Sequence, residues 1–205
     1  MVNSAGILPI SRNDRGEVVF LIGRDLRDGV FSDFGGKIEP VDAGDPIHTA
    51  TREFYEESLG ALCNSPYELR KRVRDLSVCL IGSTKNLHVY RMYVVEFPYD
   101  PFISQRFKKI VNFLKYKNIG SNYIEKTEVL WATFDELVKI PKRKVFTDTL
   151  DRNMSILRRI TVEPWRALCE EHKNYSTDFP SMYSSPSSTS GNKYLHPHQR
   201  NIQFA

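Results

Sequence analysis

Cysteine is scarce in this sequence: three residues in 205, Cys63, Cys79 and Cys169, odd in number and far apart. They make neither a metal-ligand pair nor a disulfide framework, so free thiols in a reducing compartment are expected. Long apolar runs are missing too. None approaches the ~20 residues a membrane-spanning helix needs. The first ten residues lack a basic stretch followed by a long apolar one, so no secretory signal is read. There is no internal repeat. These absences point to an intracellular, cytoplasmic protein with no membrane partner, and they leave oligomeric state open.

What is present suits a single globular core. Hydrophobic residues make up 40% and charged residues 26%, which separates the chain from disordered and membrane classes. The formal charge is +4, and its distribution is uneven. Arg70, Lys71, Arg72, Arg74, Lys85, Arg91, Arg106, Lys108, Lys109, Lys115 and Lys117 meet only Glu68, Asp75, Glu96 and Asp100 in the same region. A second cluster follows at Lys139, Lys142, Arg143 and Lys144. Such excess suits either a solvated face or a polyanionic partner, because each neutralised phosphate releases a counterion.

The chain opens as β structure. Ala5–Ile10 is a short apolar run, Asn13-Asp14-Arg15-Gly16 a turn, and Glu17–Arg24 holds an unbroken apolar stretch that predicts a strand covered on both faces. The Gly-rich stretch Phe34-Gly35-Gly36 follows. A helix then starts with Asp45 as N-cap and Pro46 at its first position. It is expected to run to about Leu59 or Leu62. Phe54, Tyr55, Leu59 and Leu62 fall on one side of that helix and Glu53, Glu56 and Glu57 on the other. Ser77–Gly82 and Leu87–Phe97 read as strands, Phe102–Tyr116 as a basic amphipathic helix, Val129–Ala132 as a last strand and Phe134–Val138 as a short helix. Thr147–Arg159 and Glu163–His172 read as two closing helices. The result is an α/β (α+β) domain over 1–172, followed from about Asn174 by a Ser-, Pro- and His-rich tail expected to be disordered.

One stretch carries chemistry: Gly35-Gly36-Lys37-Ile38-Glu39-Pro40-Val41-Asp42, then Arg52-Glu53-Phe54-Tyr55-Glu56-Glu57. Carboxylates at i, i+3 and i+4 are neighbours on a helix surface and repel unless something neutralises them. A hard divalent cation such as Mg²⁺ does so with oxygen ligands. The glycines let backbone approach a ligand closely, and Arg52 can pair with Glu56 four residues on.

Gly36 to Gly60 resembles the Nudix box, G-x5-E-x7-R-E-U-x-E-E-x-G-U, where U is aliphatic. Gly36, Arg52, Glu53, Glu56 and Glu57 match it, with Phe54 at the apolar position. The sequence departs from the pattern in three places. Asp42 stands where the pattern has Glu, nine residues rather than seven separate it from Arg52, and Leu59 takes the second glycine position one residue before Gly60.

The resemblance implies an α/β/α sandwich with a mixed sheet, and a Mg²⁺- or Mn²⁺-dependent hydrolase of a diphosphate linkage. It makes Gly36, Glu53, Glu56 and Glu57 the candidate metal ligands and Arg52 the residue that orients a glutamate. Glu56, Glu57 and Glu128 are the candidate catalytic acids and bases. Glu125, Lys37 and Arg24 are candidate substrate contacts. Trp131, in the late acidic region, reads as core. The expected substrate is a nucleotide or a capped RNA, the latter motivated by the basic regions. Small diphosphates (nucleoside triphosphates, dinucleoside polyphosphates, coenzyme A, diphosphoinositol phosphates) are the alternative, and binding without turnover is a further one.

Overall fold

A computed structural model describes residues 2–118 and 124–176. Among them, seven strands form one mixed sheet. The central strand β1 (Val2–Arg12) is buried along nearly its whole length, as a strand covered on both faces must be. It runs parallel to β6 (Val89–Glu96), which pairs antiparallel with β5 (Ser77–Ser83). On its other side β1 changes partner partway. Ile10–Arg12 pairs with β2 (Val18–Asp25), while Ser4–Ile7 pairs with β4 (Phe34–Lys37). The short β3 (Phe31–Ser32) and the long β7 (Lys126–Thr133) both pair with β2.

Each sheet face carries its own hydrophobic cluster. On one face, Ala5, Ile7, Leu21 and Phe34 pack with α1 (Pro46–Glu57), α2 (Pro66–Asp75) and α3 (Ile103–Tyr116). On the other, Leu8, Ile10, Phe20 and Ile22 pack with α4 (Phe134–Lys139), α5 (Lys144–Arg152), α6 (Met154–Val162) and α7 (Trp165–Ser176). This is the expected α/β/α sandwich with extra helices after the last strand. No helix among the described residues is long and apolar enough to cross a membrane.

Several elements differ from expectation. The Gly-rich stretch at Phe34 is a strand, because β1 offers it a ladder partner in Ser4–Ile7. Helix α2 is an addition, buried through Leu69 and Val73 alone, which is too sparse an apolar pattern to read in a basic segment. The expected helix over Thr147–Arg159 is two helices broken at Asn153, whose side-chain amide donates to the carbonyls of Thr149 (2.7 Å) and Ile81 (3.0 Å). Asn174–Ser176, read as the start of the tail, form the end of α7, and 177–205 lie outside the described residues. Trp131 is half-buried against the α1–α3 face, donating from Nε1 to the Asp100 carbonyl at 3.0 Å.

Candidate active site

Helix α1 begins as its sequence dictates. The Asp45 carboxylate accepts from the Ile47 amide at 2.8 Å, and Pro46 follows as the first helical residue. The helix ends at Glu57, earlier than expected, because Leu59 and Gly60 both turn left-handed, at φ 53° and 67°. Leu59, at the position where the box pattern has glycine, thus adopts a left-handed backbone. The three glutamates occupy the final turn, where their environments diverge. Phe54 is fully buried. Glu57 lies about 60° from it around the helix, by ~100° per residue, and is drawn into the interior. Its exposure is 4%, whereas Glu56 on the far side has 57% of its side chain exposed. Tyr55, expected on the core side, is exposed instead.

Strand β4 sits directly against this turn. A Cβ at Gly36 would collide with the Glu53 carboxyl group and push it aside, so glycine leaves that carboxyl group where it lies. The Gly35 amide donates to Glu57 Oε2 at 2.8 Å. The β4 backbone and the helix carboxylates therefore share one small space.

Arg52 fastens the loop to the helix. Its Nε and Nη2 donate to the two oxygens of Asp42 at 3.0 and 2.9 Å, a bidentate pair. Nη1 reaches Glu53 at 2.9 Å and Glu56 at 3.1 Å, and Nη2 reaches the Lys37 carbonyl at 3.3 Å. Asp42 has 0% exposure and also accepts from Thr49 Oγ1 (2.8 Å) and the Glu39 amide (2.9 Å). Arg52 stands beside the glutamates. Asp42, at the shifted position of the box acid, is its anchor. A 3-10 turn at Pro40–Asp42 presents Asp42, and the left-handed Ala43 and Gly44 then lead the chain into the helix.

The residue that sequence reading missed is Lys126. It is 1% exposed, and its Nζ donates to Asp25 (2.7 Å), Ser32 Oγ (2.6 Å) and the Asp33 carbonyl (3.1 Å), with Glu57 Oε1 at 3.5 Å. A buried ammonium costs several kcal/mol unless paired this fully. In sequence it stands among Glu125, Thr127 and Glu128, which reads as polar surface. A register shift in β7 opposite Arg24 and Asp25 turns Lys126 toward the face of Phe34 and α1. Asp25 in turn takes Arg143 Nη2 at 2.9 Å. A second buried pair lies under the loop: Tyr90 donates to Asp33, whose carboxyl group burial pushes up to about 6.

Burial raises the helix carboxyl groups more than their cations lower them. Glu53 is pushed to about 7 and Glu57 to about 8, and Glu56 moves up as well. Each also feels a neighbouring carboxylate, Glu125 included, that opposes ionisation. Among the described residues no three acidic, His or Cys side chains form a ready-made metal cage. The donors that gather here are all oxygens.

The remaining candidates divide. Glu125 is exposed but close enough to act electrostatically on Glu53, Glu56 and Glu57. Glu128 is not brought to them. The unbroken register of β7 before the shift sets it opposite Arg24 on β2, where the two form an exposed ion pair at 3.6 Å. Arg24 spends its Nε on the Gly29 carbonyl at 2.8 Å. Lys37 offers its carbonyl to Arg52, while its side chain lines a cavity on the other side of β4.

No protein-family model matches the sequence, and no curated protein matches it. Solved structures do. The chain is similar to RenU, a Nudix hydrolase from M. smegmatis, with TM-score 0.51 at 12% identity over 79% of this chain and 90% of that one. It is also similar to the Nudix domain of Shewanella oneidensis NrtR, solved with ADP-ribose (TM-score 0.49, 14% identity, 78% and 89% covered). A C. elegans Ap4A hydrolase gives TM-score 0.48 at 13% identity, with 76% and 98% covered. The fold of this chain is that of the Nudix hydrolases.

Proposed function

We propose that this protein is a pyrophosphohydrolase that uses Mg²⁺ or Mn²⁺ to cleave a diphosphate linkage in a nucleotide substrate, and that the substrate is the 5′ cap of an RNA. One observation carries the reading. Three glutamates at the end of one helix, Glu57 buried, Glu53 half-buried and all of them resisting ionisation, are gathered against the glycine backbone of β4. Burying carboxylates beside one another is costly unless a cation joins them. The all-oxygen donor set fits a hard divalent ion that keeps several waters and shares substrate phosphates. Glu53, Glu56 and Glu57, with the Gly36 carbonyl, would hold it. When bound, the ion supplies charge neutralisation and an acidified water.

The chain's own residues do the rest. Arg52, fixed by Asp42, holds Glu53 and Glu56 in register. Lys126 and the Gly35 amide fix the two oxygens of Glu57. Glu56, the most exposed of the three, can take a proton from water, and Glu125 is the alternative base. Glu57→Gln is expected to lower kcat at least 100-fold with either metal, measured by release of a diphosphate product. Near wild-type turnover would refute the assignment. A panel of cap-labelled RNA against dinucleoside polyphosphates and nucleoside triphosphates tests the substrate, and a kcat/KM no higher for capped RNA would overturn that part.

A further inference from the structure

A cavity of about 1030 Å³ opens on the opposite side of β4 from the glutamates. This is at the upper end of the roughly 300–1,000 Å³ that holds a drug-sized ligand, so it has room for more than one nucleotide. Successive residues of β4 face its two sides. Gly36 meets Glu53, whereas the Lys37 side chain lines the cavity. Val2, Val30, Ile38 and Val145 supply apolar wall, and Lys37, Lys85, Arg143 and Lys144 supply cations. The cavity thus draws one cation from the first basic region of the sequence and, with Lys142, three from the second.

The cations differ in what they have left to offer. Lys142, also on the wall, spends its ammonium on three carbonyls at the end of α4, those of Leu137, Val138 and Ile140 at 2.7–2.9 Å, and so shapes the wall. Arg143 is held by Asp25, and its Nε lies 3.7 Å from Asp28, the acid on this wall. Lys144 makes an exposed pair with Asp148 that is worth little and is readily exchanged for a phosphate. Ser4 is on the same wall with its hydroxyl buried and without a hydrogen-bond partner among the described residues. Arg143 also begins a chain of charges, through Asp25 and Lys126, that ends on Glu57. Cavity and glutamates are therefore joined by one chain of ion pairs.

We propose that this cavity receives the polynucleotide body of the substrate, a single RNA strand passing over the end of β4 from the glutamates, its bases on the apolar wall and its phosphates on Lys85, Lys144 and Lys37. This rests on the hydrolase reading above and extends it from the scissile linkage to the RNA beyond. Cations along an open groove supply the phosphate-tracking, salt-dependent part of single-strand binding, which needs no base readout.

The test is anisotropy of a 3′-fluorescein, ten-nucleotide uncapped RNA with the full chain and with the Lys85→Glu/Lys144→Glu variant, across a salt series. The variant should bind at least 10-fold more weakly. Its log–log salt slope should be shallower by about 1.4, at ~0.7 for each phosphate that the protein no longer neutralises. Its kcat/KM on a cap dinucleotide without RNA body should match wild type. Unchanged RNA affinity in the variant overturns the cavity assignment even if both proteins hydrolyse the cap dinucleotide. If the wild type hydrolyses no diphosphate yet loses RNA affinity on this substitution, the cavity stands and the hydrolase reading falls. Lys85→Gln/Lys144→Gln, with a smaller charge change, should give an intermediate affinity; wild-type affinity there would count against phosphate binding by these lysines.

Discussion

Replacing Asp42 by Asn removes a charge without changing shape, and the consequence can be worked from its contacts. Asp42 is completely buried and holds Arg52 through two charge-assisted bonds while accepting from Thr49 and the Glu39 amide. Losing one partner of a buried pair costs roughly 3–5 kcal/mol. Arg52 keeps 16% of its side chain exposed and retains Glu53 and Glu56, so the low end, about 3 kcal/mol, applies. At ~2–4 °C per kcal/mol for a chain of this size, the melting temperature should fall by about 6–12 °C.

The loss should also depend on pH. Burial opposes ionisation of Asp42, but Arg52, the Glu39 amide and Thr49 together hold its carboxyl group below the usual range. A depressed folded-state value stabilises the protein at neutral pH and is lost as pH falls through it. The gap in melting temperature between wild type and variant should therefore start to narrow as pH falls below the ordinary value of 3.8 and go on narrowing as pH passes down through the lower folded-state value. Calorimetric scans at several pH values measure this. A fall under about 2 °C at pH 7, or a gap that widens in acid, would refute the view of Asp42 as the electrostatic anchor of the loop.

Glu57 behaves in the opposite sense. Burial raises it from 4.5 to about 8, so its stabilising protonated state is lost as pH climbs through that window, and the metal-free protein should melt progressively lower from about pH 5 to about pH 8. Added Mg²⁺ should flatten the trend, and so should Glu57→Gln, as thermal scans with and without chelator will reveal; identical slopes in the variant and wild type would contradict the shift. Gly36→Ala pushes a methyl group into the Glu53 carboxyl, and a loss of turnover of at least 10-fold is expected with the fold retained by circular dichroism. Full activity would mean that the close approach is dispensable. Glu125→Gln should slow hydrolysis several-fold while Glu128→Gln, paired with Arg24 at the surface, should stay within about twofold; the reverse ranking would return Glu128 to the site.

The glutamate helix is legible in the sequence because its information is local: a cap, a proline and a carboxylate spacing within one segment. Its end is harder to place, since nothing about Leu59 announces a left-handed residue. Glu56 and Glu57 look equivalent in sequence, and only the neighbouring Phe54, buried under the helix, separates an exposed acid from an interior one. Lys126 is out of reach for a different reason. Its partner Asp25 lies 101 residues away along the chain, and the register shift that turns it inward is a property of the pairing of two strands. Acidic neighbours draw attention to Glu125 and Glu128, and the lysine beside them passes for surface. Helix α2 is similarly hidden by a basic surface over two buried side chains.

The split partnership of β1 has a consequence for how this molecule can vary. Because β4 is laddered to Ser4–Ile7 at one end, and the Arg52–Asp42 clip secures the turn at the other, the chain between them can lengthen without disturbing the glutamates. Ile38, within that stretch, borders the cavity. Insertions or deletions there would reshape what the protein holds while sparing the machinery that cuts, so selectivity and reactivity are free to drift independently in this architecture.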